Sequence, residues 1–138
     1  MTDVVDRATR SRMMAGIRGR NTKPELLVRS WIHRQGLRFR LHVKGLPGRP
    51  DLVLPKYKTV VFVHGCFWHQ HRGCRFAYTP KNNAAFWRAK LRGNVERDAR
   101  HLGDLRRLGW RALTIWECEL SERHLTRLVR GIRQVRGS

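Results

Sequence analysis

Sixteen residues, Thr59 to Cys74, restrict this chain more than any other stretch; they read T-V-V-F-V-H-G-C-F-W-H-Q-H-R-G-C. The run Val60, Val61, Phe62, Val63 is β-branched and aromatic, too short for a core helix, and stopped at Gly65, which predicts a buried strand. Between His64 and Cys74 the chain then places three histidines, two cysteines and the adjacent pair Phe67-Trp68. Any fold that accepts this segment must end a buried strand in a loop crowded with ligating and aromatic side chains. Packing alone does not explain such density, and loops at strand ends are where function is commonly sited.

The remainder of the chain sets the scale and the partner. A length of 138 residues is enough for one domain with a real core and too short for two. The formal charge is +20, and 24 of the 30 basic residues are arginine. Arginine's planar fork matches phosphates and guanine edges, so the excess points to nucleic acid rather than to a merely solvated surface. No apolar run reaches the length of a membrane span, and the polar N-terminus lacks the hydrophobic stretch of a signal peptide, which predicts a cytoplasmic protein with no membrane partner. Three cysteines, an odd count, argue against a disulfide framework and for metal or catalytic use.

Residues 1–20 read as a basic arm, with Arg7, Arg10, Arg12, Arg18 and Arg20 around Met13, Met14 and Ile17, and residues 21–138 as a single domain. The arm can track phosphates and push Met14 or Met13 between bases as a minor-groove wedge, or it can be a tail whose methionines touch the core. Thr22-Lys23-Pro24-Glu25 predicts a helix start, with Glu25 at a capping-box position and Gly36 as the stop. Leu27, Val28, Trp31 and Ile32 make the core-facing stripe. Leu37 to Val43 alternates apolar and basic residues like a half-exposed strand. A stiff loop, Leu46 to Pro50, then leads to a strand from Asp51 to Leu54, and a carboxylate at the head of an apolar run needs a cation or a metal. Beyond the histidine and cysteine loop, Asn83 to Leu108 reads as helical, with Leu91, Val95, Leu102 and Leu105 inward, Gly93 as a possible break, and Glu96, Arg97, Asp98 and Arg100 on a solvated outer face. Phe86 and Trp87 near its start suit either the core or a ligand contact. Trp110 to Trp116 predicts the last strand, and Ser121 caps a final helix carrying Leu125, Leu128, Val129 and Ile132.

Cys66, His71 and Cys74 are spaced so that one loop can wrap a tetrahedral ion, with Cys118 able to complete the set from a neighbouring strand end. His69 lies two residues from His71 and either could ligate, His71 fitting the spacing better. Four protein ligands make a closed, structural zinc site that would hold Phe67, Trp68 and His69 rigidly outward.

The order of helix with Glu25, strand with Pro50-Asp51, turn, and strand ending at Val63-His64 resembles the PD-(D/E)xK nucleases, except that Phe62, Val63 and His64 stand where their carboxylate and lysine would be. P-G-R-P-D at Pro47 to Asp51, H-G-C-F-W-H at His64 to His69, F-W at Phe86-Trp87, N-V-E-R-D at Asn94 to Asp98, L-G-W-R at Leu108 to Arg111 and W-E-C at Trp116 to Cys118 narrow the match. Together they are similar to the very short patch repair (Vsr) endonucleases over nearly the whole chain. The resemblance implies an α/β, restriction-endonuclease-like fold with a mixed central sheet flanked by helices and a structural zinc site. It also implies a monomeric, Mg²⁺-dependent enzyme that nicks double-stranded DNA 5′ of the thymine in T·G mismatches left by deamination of 5-methylcytosine, coupled to mismatch-repair proteins.

On this sequence, Asp51 and the main-chain carbonyl of Val63 would hold Mg²⁺, His69 would be the general base, and Glu25 and His64 would anchor waters of the ion or the phosphate. Threonine is frequent where Val63 stands, a change that a carbonyl ligand tolerates and a required hydroxyl would not. Cys66, His71, Cys74 and Cys118 match zinc ligands. Phe67, Trp68 and Trp87 match the aromatics that intercalate beside the mismatch, and Met14 the wedge opposite. The competing readings are a broader nuclease of the same superfamily without mismatch specificity, such as a restriction enzyme or resolvase, and a zinc-stabilised DNA-binding module without activity.

Overall fold

Local chemistry accounts for where the elements begin and end. In the computed structural model, which describes residues 22–134, helix α1 spans Lys23–Arg34, strand β1 Leu52–Leu54, β2 Thr59–His64, helix α2 Ala84–Arg107, β3 Arg111–Trp116 and helix α3 Glu122–Arg133. The basic arm and its candidate wedge Met14 lie outside the described residues. Thr22 caps α1 by accepting the Glu25 N–H, Ser121 caps α3 by accepting the His124 N–H, and Gly36 and Gly109 take the positive φ that ends α1 and α2.

The three strands form one mixed sheet in the order β1-β2-β3. β1 and β2 are antiparallel, with Leu52 opposite Val61; β2 and β3 are parallel, with Thr59 opposite Arg111 and His64 opposite Trp116. Parallel neighbours need a crossover, and α2 supplies it. Alternation along the strands sorts side chains between two clusters. Leu52, Leu54, Val61 and Ile115 join Val28 and Ile32 of α1 and Leu125, Leu128, Val129 and Ile132 of α3. Val53, Val60 and Phe62 join Leu105 of α2 on the other face. The sheet is therefore covered on both sides, which is why β2 can be apolar at four consecutive positions.

Several sequence expectations are corrected. Leu37 to Val43 forms no strand: Arg40 alone bridges to Val53, through N–H···O bonds of 2.8 and 3.0 Å. His42 adopts φ 55°, which ends the extension and turns Val43 away from the cluster that receives Phe39 and Leu41 and into the other. The alternation reported burial rather than a ladder. Leu27 and Val95 face solvent instead of the core. Gly93 does not divide α2, which runs unbroken for 24 residues; a lone glycine costs only about 1 kcal/mol in a helix interior. Among the described residues no helix is long and apolar enough to cross a membrane.

Candidate active site and metal centre

The parallel register delivers the site. Because His64 pairs with Trp116, the loop that follows β2 and the turn that follows β3 leave the sheet side by side. Beside them, under α2, opens a cavity of about 840 Å³ lined by Glu25, Asp51, Val63, His64, His69 and Asp98 among others. Asp51 comes from the head of β1, His64 from the end of β2, and Glu25 from the first turn of α1.

Asp51 Oδ2 accepts the Val63 N–H at 2.6 Å. Burial pushes the Asp51 carboxyl up from 3.8 to about 7; the Val63 bond opposes the rise, and the charge and hydrogen bond of neighbouring Glu25 add to it. Glu25 is itself 5% exposed, and its carboxylate accepts Arg29 Nη2 at 3.1 Å. Two carboxyl groups in one cavity, Glu25 buried and Asp51 half-buried, with the main chain of Val63 beside them, form the oxygen-rich donor set that hard divalent cations take.

His64 is buried, and its imidazole is pushed down to about 4 by burial and by neighbouring His69. The two rings stack at 3.8 Å and 4°. His69 Nδ1 lies 2.6 Å from Asp98 Oδ2, and one turn earlier on α2 the Asn94 amide donates to the Trp68 carbonyl at 3.0 Å. A carboxylate on Nδ1 fixes the tautomer and leaves Nε2 free to take a proton. Asp98, read from the sequence as part of a solvated face, therefore belongs to the site, and Asn94 with it. The signal was available: residues 91, 94, 98, 102 and 105 share one helical stripe, so two polar groups interrupt an otherwise apolar inner face.

On the other side of the loop, Cys66, His71, Cys74 and Cys118 bring one ligating atom each to within 4.8 Å of one another. Cys66 Sγ and Cys118 Sγ lie 3.7 and 3.3 Å from His71 Nδ1. His71, not His69, faces the thiols. The loop is closed by main-chain bonds from His71 N–H to the Cys66 carbonyl and from Cys74 N–H to the His71 carbonyl, while Glu117 Oε1 accepts the Cys66 N–H at 3.0 Å. Burial pushes the Cys66 thiol up to about 12. Three thiols so close cannot ionise together without a cation among them, and three sulfurs with one imidazole nitrogen suit tetrahedral zinc. Trp116 stacks on His71 at 4.2 Å and meets His64 edge-on at 5.1 Å, between this cluster and the cavity.

Phe67, Trp68 and Trp87 meet at ring separations of 5.0 to 6.0 Å, and Tyr78 joins Phe67 at 5.1 Å. Phe86 is 61% exposed, so it is not a core residue; through Trp87 it extends this shelf, as the exposed Tyr78 does through Phe67. A contiguous aromatic patch of this kind marks a binding surface.

Comparison with known proteins places the chain in a family. The family model for the DNA mismatch endonuclease Vsr matches residues 2–75. The type II nicking enzyme V.NmeAIP of Neisseria meningitidis serogroup A is 44% identical over 96% of this chain and 98% of its own length. V.XorIIP of Xanthomonas oryzae pv. oryzae, also a type II nicking enzyme, is 48% identical over 88% of this chain and 89% of its own length. The DNA mismatch endonuclease Vsr of Escherichia coli K12 is 47% identical over 89% of this chain and 78% of its own. With a cavity that joins carboxylates to an oriented imidazole beside an aromatic shelf, this chain belongs to the Vsr DNA mismatch endonuclease family.

Proposed function

We propose that the protein is a strand-specific endonuclease that nicks DNA 5′ of the thymine in a T·G mismatch. The observation that carries the reading is the contact of His69 with Asp98 in the same cavity as the half-buried Asp51 and the buried Glu25, with Phe67 and Trp68 on the same loop. Asp51 and the Val63 carbonyl would hold Mg²⁺, which when bound would supply neutralisation of phosphodiester charge and a more acidic water. His69 takes the proton of the attacking water at Nε2, while Asp98 accepts the Nδ1–H and stabilises the imidazolium that forms. His64, kept neutral by burial, orients the phosphate, and Glu25 would anchor water around the ion.

Cys66, His71, Cys74 and Cys118 would hold structural zinc, which would make the loop stiff enough for Phe67 and Trp68, with Trp87 from α2, to enter the base stack, with Met14 the wedge from the opposite groove. Unstacking a step costs a few kcal/mol, which only a preorganised wedge recovers. The fold is then a compact version of the PD-(D/E)xK arrangement, acting as a monomer in the cytoplasm and handing its product to mismatch-repair proteins.

The test is a nicking assay on duplexes that differ only in T·G, T·A or C·G at one position, with Mg²⁺ and without it. Nicking confined to T·G with Mg²⁺ supports the reading. Equal cleavage of T·A favours a nuclease without mismatch specificity, and mismatch binding without cleavage favours a binding module.

A further inference from the structure

Two groups of metal-ligating side chains occur among the described residues, the cysteine cluster and a second one made of His64, His69 and Asp98, whose ligating atoms lie within 4.8 Å of one another. We propose that this second group is a binding site for borderline transition ions such as Zn²⁺, Co²⁺ or Ni²⁺, and that its occupation switches nicking off.

The donor set distinguishes it from its neighbours. Imidazole nitrogens with one carboxylate suit zinc, cobalt and nickel, whereas Mg²⁺ prefers oxygen throughout. The cavity thus offers a hard wall, Asp51 with Glu25, and a borderline wall, the two histidines with Asp98. His64 is 8% exposed, and its Nδ1 is buried without a hydrogen-bond partner, although the side chain lines the cavity. A buried nitrogen left unsatisfied calls for an explanation, and an ion supplies one.

His69 and Asp98 are already in ligand-like proximity, 2.6 Å apart at Nδ1 and Oδ2. The His64 and His69 rings lie parallel, 3.8 Å and 4° apart, so one of them must turn about its Cβ–Cγ bond before both nitrogens point at one ion. Zinc–nitrogen and zinc–oxygen bonds of about 2.0–2.2 Å, at a tetrahedral angle, need the Nδ1–Oδ2 pair to separate by less than roughly 1 Å. The proton between them leaves to solvent as the ion enters. Asp98 retains 25% side-chain exposure on α2, so this movement is within reach of its side chain without shifting the helix. Three protein ligands also leave a coordination position open to water.

A His69 that binds the ion through Nδ1 carries its remaining proton on Nε2, so that nitrogen can no longer take one from water. This consequence rests on the role proposed for His69; the existence of the site does not.

The experiment uses untagged protein already holding one zinc on the cysteine cluster, dialysed against buffered free Zn²⁺ up to micromolar levels, with bound metal counted by mass spectrometry. Wild type should take up a second equivalent. His101→Ala, a histidine of the same cavity outside the triad, should keep it, and Asp98→Asn and His64→Gln should each weaken it at least about tenfold. Circular dichroism checks that the variants are folded; Asp98→Asn, at a partly exposed helix position, is the variant that decides if His64→Gln is not. No second equivalent in wild type, or one that survives both variants, overturns the site. In parallel, nicking of a T·G duplex at constant Mg²⁺ should fall in step with the second equivalent and recover when citrate removes it. Binding without loss of nicking overturns the switch. Absence of nicking in Mg²⁺ alone counts against the proposed function, and the metal count still decides the site.

Discussion

Replacing Asp51 by asparagine should raise the stability of the magnesium-free protein while abolishing its activity. The ionised carboxylate is held in a cavity that pushes its titration from 3.8 to about 7, chiefly through burial, with Glu25 alongside. At about 1.4 kcal/mol per tenfold, that displacement corresponds to roughly 4 kcal/mol above the pH at which the group ionises, and residual contact with solvent lowers the recoverable part to about 2–4 kcal/mol. An amide keeps the acceptor for the Val63 N–H and offers a donor toward Glu25, so little else is lost.

The sign follows from proton counting. Between 3.8 and about 7 the folded state holds a proton on Asp51 that the unfolded chain releases, so this group's contribution is fully present below about pH 3.8 and is lost as pH rises toward 7. The advantage of Asp51→Asn should therefore be roughly a third of its full size at pH 5, grow to pH 7 and level off by pH 8. His64 acts in the opposite direction: with its imidazole pushed down to about 4, acidification from 6.5 toward 4 lets the unfolded chain bind a proton first and costs stability. That effect is common to both proteins and cancels in their difference. Thermal unfolding at pH 5, 7 and 8 in buffer without added divalent ion, with the zinc site kept loaded, should show a Tm gain of roughly 6–12 °C at pH 8. Adding Mg²⁺ should stabilise wild type and leave the variant unmoved. A variant less stable by the same margin at every pH, or one that still gains stability from Mg²⁺, would refute the reasoning.

Asp98→Asn should lower single-turnover nicking by roughly 10²–10⁴-fold with DNA affinity changed little, because the amide no longer selects the Nδ1–H tautomer of His69; a rate within a few-fold of wild type would show that the 2.6 Å contact does not matter for chemistry. Cys118→Ser, or removal of zinc by a strong chelator, should loosen the loop from Cys66 to Cys74 and lower Tm, and a metal-free protein with unchanged melting and activity would exclude a structural role. Trp68→Ala should cost about 1–3 kcal/mol of stacking, read as a ten- to hundredfold loss in the preference for T·G over paired duplex, while binding to paired DNA stays near wild type. Affinity for any duplex should fall steeply with salt, given the formal charge of +20.

Much of the site could be read from residue order because its signals are local. The ligand spacing of Cys66, His71 and Cys74, the apolar run of β2, and the caps Thr22 and Ser121 depend on neighbours within a few positions. Other features depended on packing. Helical spacing sets Asp98, unlike Glu96, on the stripe of Leu91, Leu102 and Leu105, but only the packing of α2 over the loop after β2 shows that the group it meets there is His69. Glu25 could be read as a helix-capping carboxylate, and it took the approach of α1 to the head of β1 to bring it beside Asp51. The alternation of Leu37 to Val43 was real but was satisfied by burying Phe39, Leu41 and Val43 in two different clusters, without a ladder.

The sequence by itself determined the chemistry available: a buried strand ending in histidines and cysteines, three thiols without a disulfide partner scheme, a carboxylate at the head of an apolar run, and an arginine-rich surface suited to phosphates. Tertiary structure decided which of these groups meet. Cys118 reaches Cys66 because β2 and β3 are parallel and paired from Thr59 with Arg111 to His64 with Trp116, so residues two beyond each strand end become neighbours. An antiparallel pairing of the same strands would have sent them to opposite ends of the sheet. The choice between His69 and His71 has the same origin: turns closed by main-chain hydrogen bonds at Cys66, His71 and Cys74 aim one imidazole at the thiols, and the other is left for Asp98.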